Sequence, residues 1–144
     1  MTVAAILKQK GSEVAHVSPT ATIAEVAQIL TERRIGAVLV LDTAGQVLGI
    51  LSERDVVRSL AEQGARTLEM TAAQLMTTEL HTAEVRTTVV EATAMMTAGR
   101  FRHLPVMEGE RLLGIVSIGD VVKARLSQQD QEVDSLKAYV AGVG

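Results

Sequence analysis

The apolar and polar positions of this chain follow one order of elements that occurs twice: helix, strand, strand, helix. In the first copy, apolar residues at three- and four-residue spacing predict a helix over 23–33. A short β-branched run predicts a buried strand over 35–41, and the turn after it leads to a second strand over 47–51. The following helix begins at Ser52 and is predicted to turn Val56, Val57 and Leu60 inward.

The second copy places its elements over 89–99, 104–107, 111–116 and 117–126. A short lead-in strand is predicted before each copy, near His16–Val17 and Leu80–Thr82. A final polar helix from Ser127 to about Val140 is expected either to cover a partner surface or to be loosely attached. These elements predict a first domain over 1–66, a second over 67–126 and a helical tail over 127–144.

The two copies are related by sequence as well as by pattern. Gly49–Val57 returns as Gly114–Val122, with the same residue at six of nine positions. Upstream, Thr22–Glu25 returns as Thr88–Glu91, and each is a T-x-x-E capping box that predicts the start of a helix. Because repeats set the architecture of a chain, we interpret this one as a duplicated unit of about 65 residues.

Composition narrows the functions that the chain can perform. Aromatic residues make up 1% of the 144 residues and hydrophobic residues 47%, so the predicted core is aliphatic and lacks a platform on which bases could stack. The net charge of −3 argues against a nucleic-acid surface. There is no cysteine, and the three histidines lack metal-ligand spacing, so neither a metal site nor a thiol nucleophile is expected.

Targeting signals are weak in this sequence. Residues 1–10 lack the basic start and long apolar stretch of a signal peptide. No apolar run approaches the ~20 residues of a membrane span. We therefore expect a cytoplasmic protein that does not engage a membrane.

The order of elements and the G-h-h-S-x-x-D segment that opens the last helix of each copy resemble a tandem pair of cystathionine-β-synthase-type (CBS) domains. The resemblance covers residues 5–126, and Val17–Thr20 and Leu75–Thr77 resemble the segments that precede each copy in that family. It implies an α/β fold of two repeats, each a small β-sheet packed against two helices, related by a pseudo-two-fold axis. It also implies an adenine nucleotide, AMP or NAD above all, in clefts between the repeats, a homodimer, and a regulated partner protein that the sequence does not identify.

Ser52 and Asp55 admit two interpretations. The structural one is a capping box whose carboxylate suits the positive end of the helix. In the functional one, the first-turn amides and the serine hydroxyl bind a phosphate, and Asp55 accepts hydrogen bonds from ribose hydroxyls. Ser117 and Asp120 repeat the arrangement, and the recurrence together with the resemblance favours ligand contact.

Arginine distinguishes the two predicted sites. Arg54 lies in the first turn of its helix, where the second copy has Gly119. Arg102 and His103 stand at the entrance of the second copy's first strand. A guanidinium fork suits phosphate, so we expect Arg54, Arg102 and His103 to contact one, in two sites that are not equivalent.

Small and aliphatic residues are predicted to hold the adenine ring. Gly36 and Ala37 leave room for a flat ring beside Ile35, whereas for Val38, Met95 and Met96 we favour plain core packing. No catalytic residue, metal ligand or required cofactor is predicted. The predicted ligand-binding residues are Ser52, Arg54, Asp55, Ile35, Gly36, Ala37, Arg102, His103, Leu104, Pro105, Ser117, Gly119, Asp120, Met76 and Thr77.

The sequence admits three classes of function. A nucleotide-sensing module accounts for the duplicated sites. The sequence argues against an enzyme, because it has neither a glycine-rich phosphate loop nor a nucleophile–base pair. A structural or interaction module with vestigial sites stays open, since helix capping alone explains the Ser/Asp pairs, and nucleotide binding discriminates it from the sensor.

Overall fold

The computed structural model describes residues 1–143, which form six α-helices and five strands together with a 3-10 helix at Gly64–Glu69. The helices α1 to α6 span Val3–Lys10, Ile23–Arg33, Glu53–Gln63, Ala72–Leu75, Val89–Gly99 and Ile118–Val143. The strands β1 to β5 span His16–Val17, Ala37–Leu41, Val47–Ser52, His103–Glu108 and Arg111–Ser117. The predicted α/β class and the twice-repeated order of elements are confirmed.

The chain forms two compact units that do not follow its order. The first-repeat unit consists of Glu13–His81 with Glu110–Leu112. The second-repeat unit consists of Met1–Ser12, Thr82–Gly109 and the chain from Leu113 onward. The first twelve residues therefore belong with the second repeat. The domain boundaries at 66 and 126 were drawn along the sequence and stay a prediction.

The first-repeat unit is built on a three-stranded sheet with β2 in the centre, parallel to β1 and antiparallel to β3. Four consecutive residues of β2 are buried, as expected for a strand that is covered on both faces. Thr77 lies along β3, where its amide donates to the Ile50 carbonyl at 2.9 Å and its carbonyl accepts from the Ile50 amide at 3.0 Å. The segment that follows α4 thus extends the sheet.

The second-repeat unit contains the β4–β5 pair, and Ala83 adds a parallel bridge to Val106. Helix α1 belongs to its core, since Val3 and Ile6 are 0% and 6% exposed. The Val3 amide also donates to the Thr87 carbonyl at 2.8 Å. The sequence pattern did not predict α1, and the predicted lead-in strand at Leu80–Thr82 is wrong, because the pairing falls on Ala83.

The helix starts agree with the capping residues in the sequence. Helices α2 and α5 have the predicted bounds, and the Thr22 and Thr88 hydroxyls accept from the amides three residues on at 3.2 and 3.0 Å. In α5 the Glu91 carboxylate completes the box on the Thr88 amide at 3.1 Å. At the start of α2, the backbone of Thr22 forms a β-bridge to Thr71.

The predicted inward face of α3 is wrong at two of its three positions. Val56 is 8% exposed, but Val57 is 64% and Leu60 40% exposed. Ser59 is buried instead and shares a hydrogen bond of 2.8 Å with the Thr67 hydroxyl, because the 3-10 helix packs against α3. The predicted division of the last helix near Ser127 is also wrong, since α6 is continuous from Ile118 to Val143.

The repeated glycine of the G-h-h-S-x-x-D segment is a point of close approach in both units. A Cβ at Gly49 would lie 2.8 Å from both the Met76 Sδ and the Thr77 carbonyl oxygen. A Cβ at Gly114 would lie 2.7 Å from a Leu7 methyl group. Each glycine therefore admits a segment that packs on its strand, the one after α4 in the first-repeat unit and α1 in the second-repeat unit.

We predict that Gly49→Ala lowers the free energy of unfolding by about 1–3 kcal/mol, the usual cost of overpacking a core. Gly114→Ala should cost less, because its obstruction is a flexible leucine side chain, whereas Gly49 faces a backbone carbonyl. Chemical denaturation of the wild type and both variants measures the two costs. Equal costs would contradict the close approach of the Thr77 backbone.

Candidate functional site

The candidate site of the first-repeat unit is the junction where β3 ends and α3 begins. The Ser52 amide donates to Asp55 Oδ2 at 2.9 Å, and the Ser52 hydroxyl donates to the same oxygen at 3.0 Å. The Asp55 amide approaches Ser52 Oγ at 3.4 Å, which closes a capping box. The capping box that both interpretations of this pair require is therefore present. The box also holds a half-buried carboxylate in one orientation at the start of a helix.

The amides at the start of α3 are largely engaged. The Glu53 amide donates to the Gly36 carbonyl at 2.9 Å, and the Asp55 amide faces Ser52 Oγ. The expectation that free first-turn amides bind a phosphate is thereby corrected, since two of them already have acceptors. Any phosphate at this junction must be held mainly by side chains.

A pocket of about 350 Å³ opens beside this junction. Its volume lies within the roughly 300–1,000 Å³ of small-molecule sites. Of the predicted residues it contains Ile35 and Gly36, which connect α2 to β2. Its lining consists of Leu30, Thr31, Arg34, Ile35, Gly36 and Glu53.

Arg34, one of the residues that line this pocket, has an unusual backbone conformation. It follows the last residue of α2 with φ 53, in the left-handed region, and its counterpart Arg100 after α5 has φ 57. Glycine is the usual residue there, because a side chain in this conformation costs roughly 1–2 kcal/mol. The same costly residue occurs at the same place in both repeats.

The other predicted residues of the first repeat lie around this junction in different settings. Arg54 is exposed in the first turn of α3. Ala37 is 6% exposed at the start of β2. Met76 and Thr77 lie over Gly49 on β3. The first-repeat unit thus contains eight of the predicted site residues: Ile35, Gly36, Ala37, Ser52, Arg54, Asp55, Met76 and Thr77.

The second-repeat unit repeats the junction between β5 and α6. The Ser117 amide donates to Asp120 Oδ2 at 2.8 Å, and the Asp120 amide donates to Ser117 Oγ at 3.1 Å. The Ile118 amide donates to the Arg102 carbonyl at 2.8 Å, just as Glu53 donates to Gly36. The duplication seen in the sequence is therefore a duplication of hydrogen bonds.

At the second junction, a lysine contacts the aspartate. Lys10, the last residue of α1, places its Nζ 2.6 Å from Asp120 Oδ2 and 2.9 Å from the Ile115 carbonyl oxygen. At the first junction the corresponding contact is much looser, with Arg58 Nη1 3.9 Å from Asp55 Oδ1. A ribose that bound Asp120 through Oδ2 would compete with this ammonium group.

The Lys10 contact changes the acidity of Asp120. Partial burial by itself raises the pKa of the carboxyl group, but the hydrogen bonds from Lys10 and Ser117 and the charge of Lys10 outweigh it. The net result is a pKa below the ordinary value for aspartate. Asp120 is therefore held as a carboxylate at neutral pH.

The remaining predicted residues of the second repeat have distinct surroundings. Leu104 and Pro105 are buried in β4, where the Pro105 carbonyl accepts from the Ala83 amide at 2.8 Å. His103 is half-buried at the start of β4, and Gly119 is exposed in the first turn of α6. Core packing is confirmed for Val38 and Met96, which are 0% and 2% exposed, while Met95 packs on the edge of the core.

Two other kinds of feature are absent from the residues that the structure describes. Residues 1–143 contain no group of three or more His, Cys, Asp or Glu side chains that could hold a metal ion. None of the helices in that range is long and apolar enough to cross a membrane.

Sequence reasoning missed Lys10. The apolar residues Val3, Ile6 and Leu7 at helical spacing could have predicted α1. Nothing in that pattern indicates that α1 packs on the second repeat, more than a hundred residues away in the chain.

Comparison with known proteins identifies the repeat. A model of the CBS domain matches residues 7–62 and 72–127. The CBS domain-containing protein CBSX3, mitochondrial, from Arabidopsis thaliana is 34% identical over 84% of this chain, which spans 61% of the length of that protein. YhcV from Bacillus subtilis, another CBS domain-containing protein, is 30% identical over 82% of this chain and 83% of its own length.

Solved structures agree with the sequence matches. The CBS-domain containing protein ATU1752 from Agrobacterium tumefaciens superposes with a TM-score of 0.84 at 46% identity, over 86% of this chain and 92% of that one. The CBS domain pair of protein MJ0100, in complex with 5′-methylthioadenosine and S-adenosyl-L-methionine, superposes with a TM-score of 0.78. It is 23% identical, over 89% of this chain and 98% of that one, and shows a likeness of fold.

We predict that Lys10→Met lowers the thermal midpoint at neutral pH, while Lys8→Met, in the same exposed last turn of α1, leaves it unchanged. Because the folded pKa of Asp120 is depressed, its stabilisation is complete above the unfolded value, about 3.9, and is lost as the pH falls through the folded value. The difference between wild type and Lys10→Met should therefore shrink in acid. A difference that persists unchanged at low pH would contradict the ion pair.

Proposed function

This chain belongs to the CBS domain family, and we propose that it is a non-catalytic sensor that binds an adenine nucleotide at its strand-to-helix junctions. Binding is transmitted to a regulated partner protein, and the sensor acts in the cytoplasm as a homodimer. AMP and NAD are the ligands of first choice. The observation that carries the proposal is the carboxylate that a capping box holds at the same place in both repeats.

The ribose is assigned to Asp55. Its Oδ2 accepts two hydrogen bonds from Ser52, which orient the carboxylate. Its Oδ1 lies 3.9 Å from the exposed Arg58 guanidinium, too far for a hydrogen bond. A ribose diol can donate to Oδ1 without breaking the capping box, and hydrogen bonds to a charged acceptor are the stronger kind.

The phosphate is assigned to Arg34. Arg34 lines the pocket at the same junction, and arginine binds phosphate oxygens through paired donors. The left-handed backbone of Arg34 supports a role in binding, because strained residues cluster at functional sites. Arg54, in the first turn of α3, is the second candidate for this role.

The adenine is assigned to the apolar wall formed by Ile35 and Leu30. With aromatic residues at 1% of the chain, aliphatic contact and backbone hydrogen bonds have to replace stacking. The complex of MJ0100 with two adenosine compounds supports the class of ligand. At the second junction, a ligand of the same kind has to displace Lys10, so we expect weaker binding there.

We predict that Asp55→Asn weakens AMP binding at least tenfold in calorimetry, because hydrogen bonds to charged groups contribute about 1.5–3 kcal/mol. Asparagine can still accept from Ser52, so the helix cap survives. Asp42→Asn is the matched control, since one Asp42 carboxylate oxygen likewise accepts two hydrogen bonds, here from backbone amides at 2.9 and 2.8 Å in the turn after β2. It should bind AMP as the wild type does.

Two outcomes of this titration oppose the proposal. If the wild type binds none of AMP, ADP, ATP, NAD, NADH and S-adenosylmethionine at millimolar levels, the junctions are vestigial and the chain is an interaction module. If it binds AMP and Asp55→Asn binds equally well, the ligand lies elsewhere and the assignment of the ribose is wrong.

We predict opposite effects of Arg34→Gly on stability and on binding. Relief of the left-handed conformation should raise the free energy of unfolding by about 1 kcal/mol. Loss of the guanidinium should weaken the binding of AMP at least fivefold and leave the binding of adenosine, which has no phosphate, unchanged. Arg33→Ala, on the exposed last turn of α2, is the control for charge. An equal loss of AMP affinity in both variants would show that the phosphate is attracted by the general positive charge of this region and not by contact with Arg34.

A further inference from the structure

Helix α6 carries an apolar stripe that its own unit leaves exposed. Val122, Leu126, Val133, Leu136 and Val140 are between 49% and 63% exposed. With Gln129 included, the spacing alternates between four and three residues from 122 to 140. This is the period of the a and d positions of a heptad repeat, with Leu126, Val133 and Val140 at a, and Val122, Gln129 and Leu136 at d.

The stripe is separate from the face that α6 uses within the second-repeat unit. Val121 is 1% exposed there, and Ala124 packs against the same core. Beyond that contact, every residue from 129 to 142 is exposed. The exposed stretch from 129 to 142 is no longer than the about 12–15 residues at which an isolated helix is marginal in water. A helix of this kind gains its stability from a partner that covers the apolar stripe.

The charges beside the stripe indicate which partner fits. Arg125 and Glu132 occupy g positions, and Asp130 and Lys137 occupy e positions. In a parallel, in-register pair of helices, each g residue faces the e residue five places on in the other helix. The two facing combinations are Arg125 with Asp130 and Glu132 with Lys137, and both are of opposite charge.

The apolar residues in the C-terminal half of the stripe favour the same arrangement. Two β-branched residues at a, Val133 and Val140, flank Leu136 at d, and this combination favours two parallel strands. Gln129 is the one polar residue of the seam between 122 and 140. A single polar residue in a seam costs stability but specifies register, because it is best placed opposite its own copy.

We propose that α6, from Val122 onward, forms a parallel, in-register, two-stranded coiled coil with α6 of a second copy of this chain. The partner is the chain itself, since the g and e charges are complementary to one another and no second sequence is needed. The seam is short, so the pair is reversible. This coiled coil would be an interface of the proposed homodimer, and its formation does not require a bound nucleotide.

Cysteine crosslinking of the full-length chain without nucleotide tests the geometry, because the chain has no cysteine of its own. In a parallel, in-register pair, Gln129→Cys places two thiols opposite each other at the seam. Gln131→Cys is the matched control at an outward f position of the same helix. Under mild oxidation, Gln129→Cys should form a disulfide-linked dimer at least tenfold faster than Gln131→Cys. Equal rates, or no dimer from either variant, would overturn the coiled coil.

Charge exchange tests the pairing independently, with surface substitutions that leave the core intact. Glu132→Lys and Lys137→Glu each create like-charged g–e pairs, so each variant alone should self-associate at least fivefold more weakly in sedimentation experiments. An equimolar mixture restores opposite charges and should associate as the wild type does. If the mixture associates no better than either variant, the parallel pairing is wrong, and a dimer that persists unchanged in every variant uses another surface.

Discussion

The hydrogen bonds between a serine and the aspartate three residues on, at the end of the second strand of each repeat, are the constraint on which the rest of the structure depends. They stop the strand and start the helix at one residue, Ser52 or Ser117. Beside them, the Glu53 and Ile118 amides donate to the carbonyls of Gly36 and Arg102, which joins each helix to the residues just before β2 or β4. The same bonds that stabilise the fold present a fixed carboxylate, so structure and proposed ligand site share residues.

The two repeats share one fold, but their strand-to-helix junctions differ. In the first-repeat unit, Asp55 lies beside a pocket with an arginine in a left-handed conformation. In the second-repeat unit, Asp120 is bound by Lys10 from α1. A single ion pair therefore links the N-terminal helix to the second junction. Nucleotide at that junction would compete with α1, which gives the two sites unequal roles in a sensor.

The sequence predicted the features that are local. Helices α2 and α5 have their predicted bounds because threonine caps and helical periodicity act within a few residues. Val57 and Leu60 were assigned to the core wrongly, since periodicity identifies an apolar face but not what covers it. Lys10 was beyond prediction, because its partner Asp120 is brought to it only by the folded chain. The sequence likewise did not predict that the Glu53 amide is engaged, because its acceptor, the Gly36 carbonyl, is brought to it only by the fold.

The central claim is that an adenine nucleotide binds where a capped helix meets the sheet. The most direct measurement is an AMP titration of the isotope-labelled chain followed by amide resonances. The account predicts saturable shifts centred on Gly36, Ser52 and Asp55, with weaker effects at Ser117 and Asp120. Shifts confined to residues outside both junctions, or none at millimolar AMP, would contradict it.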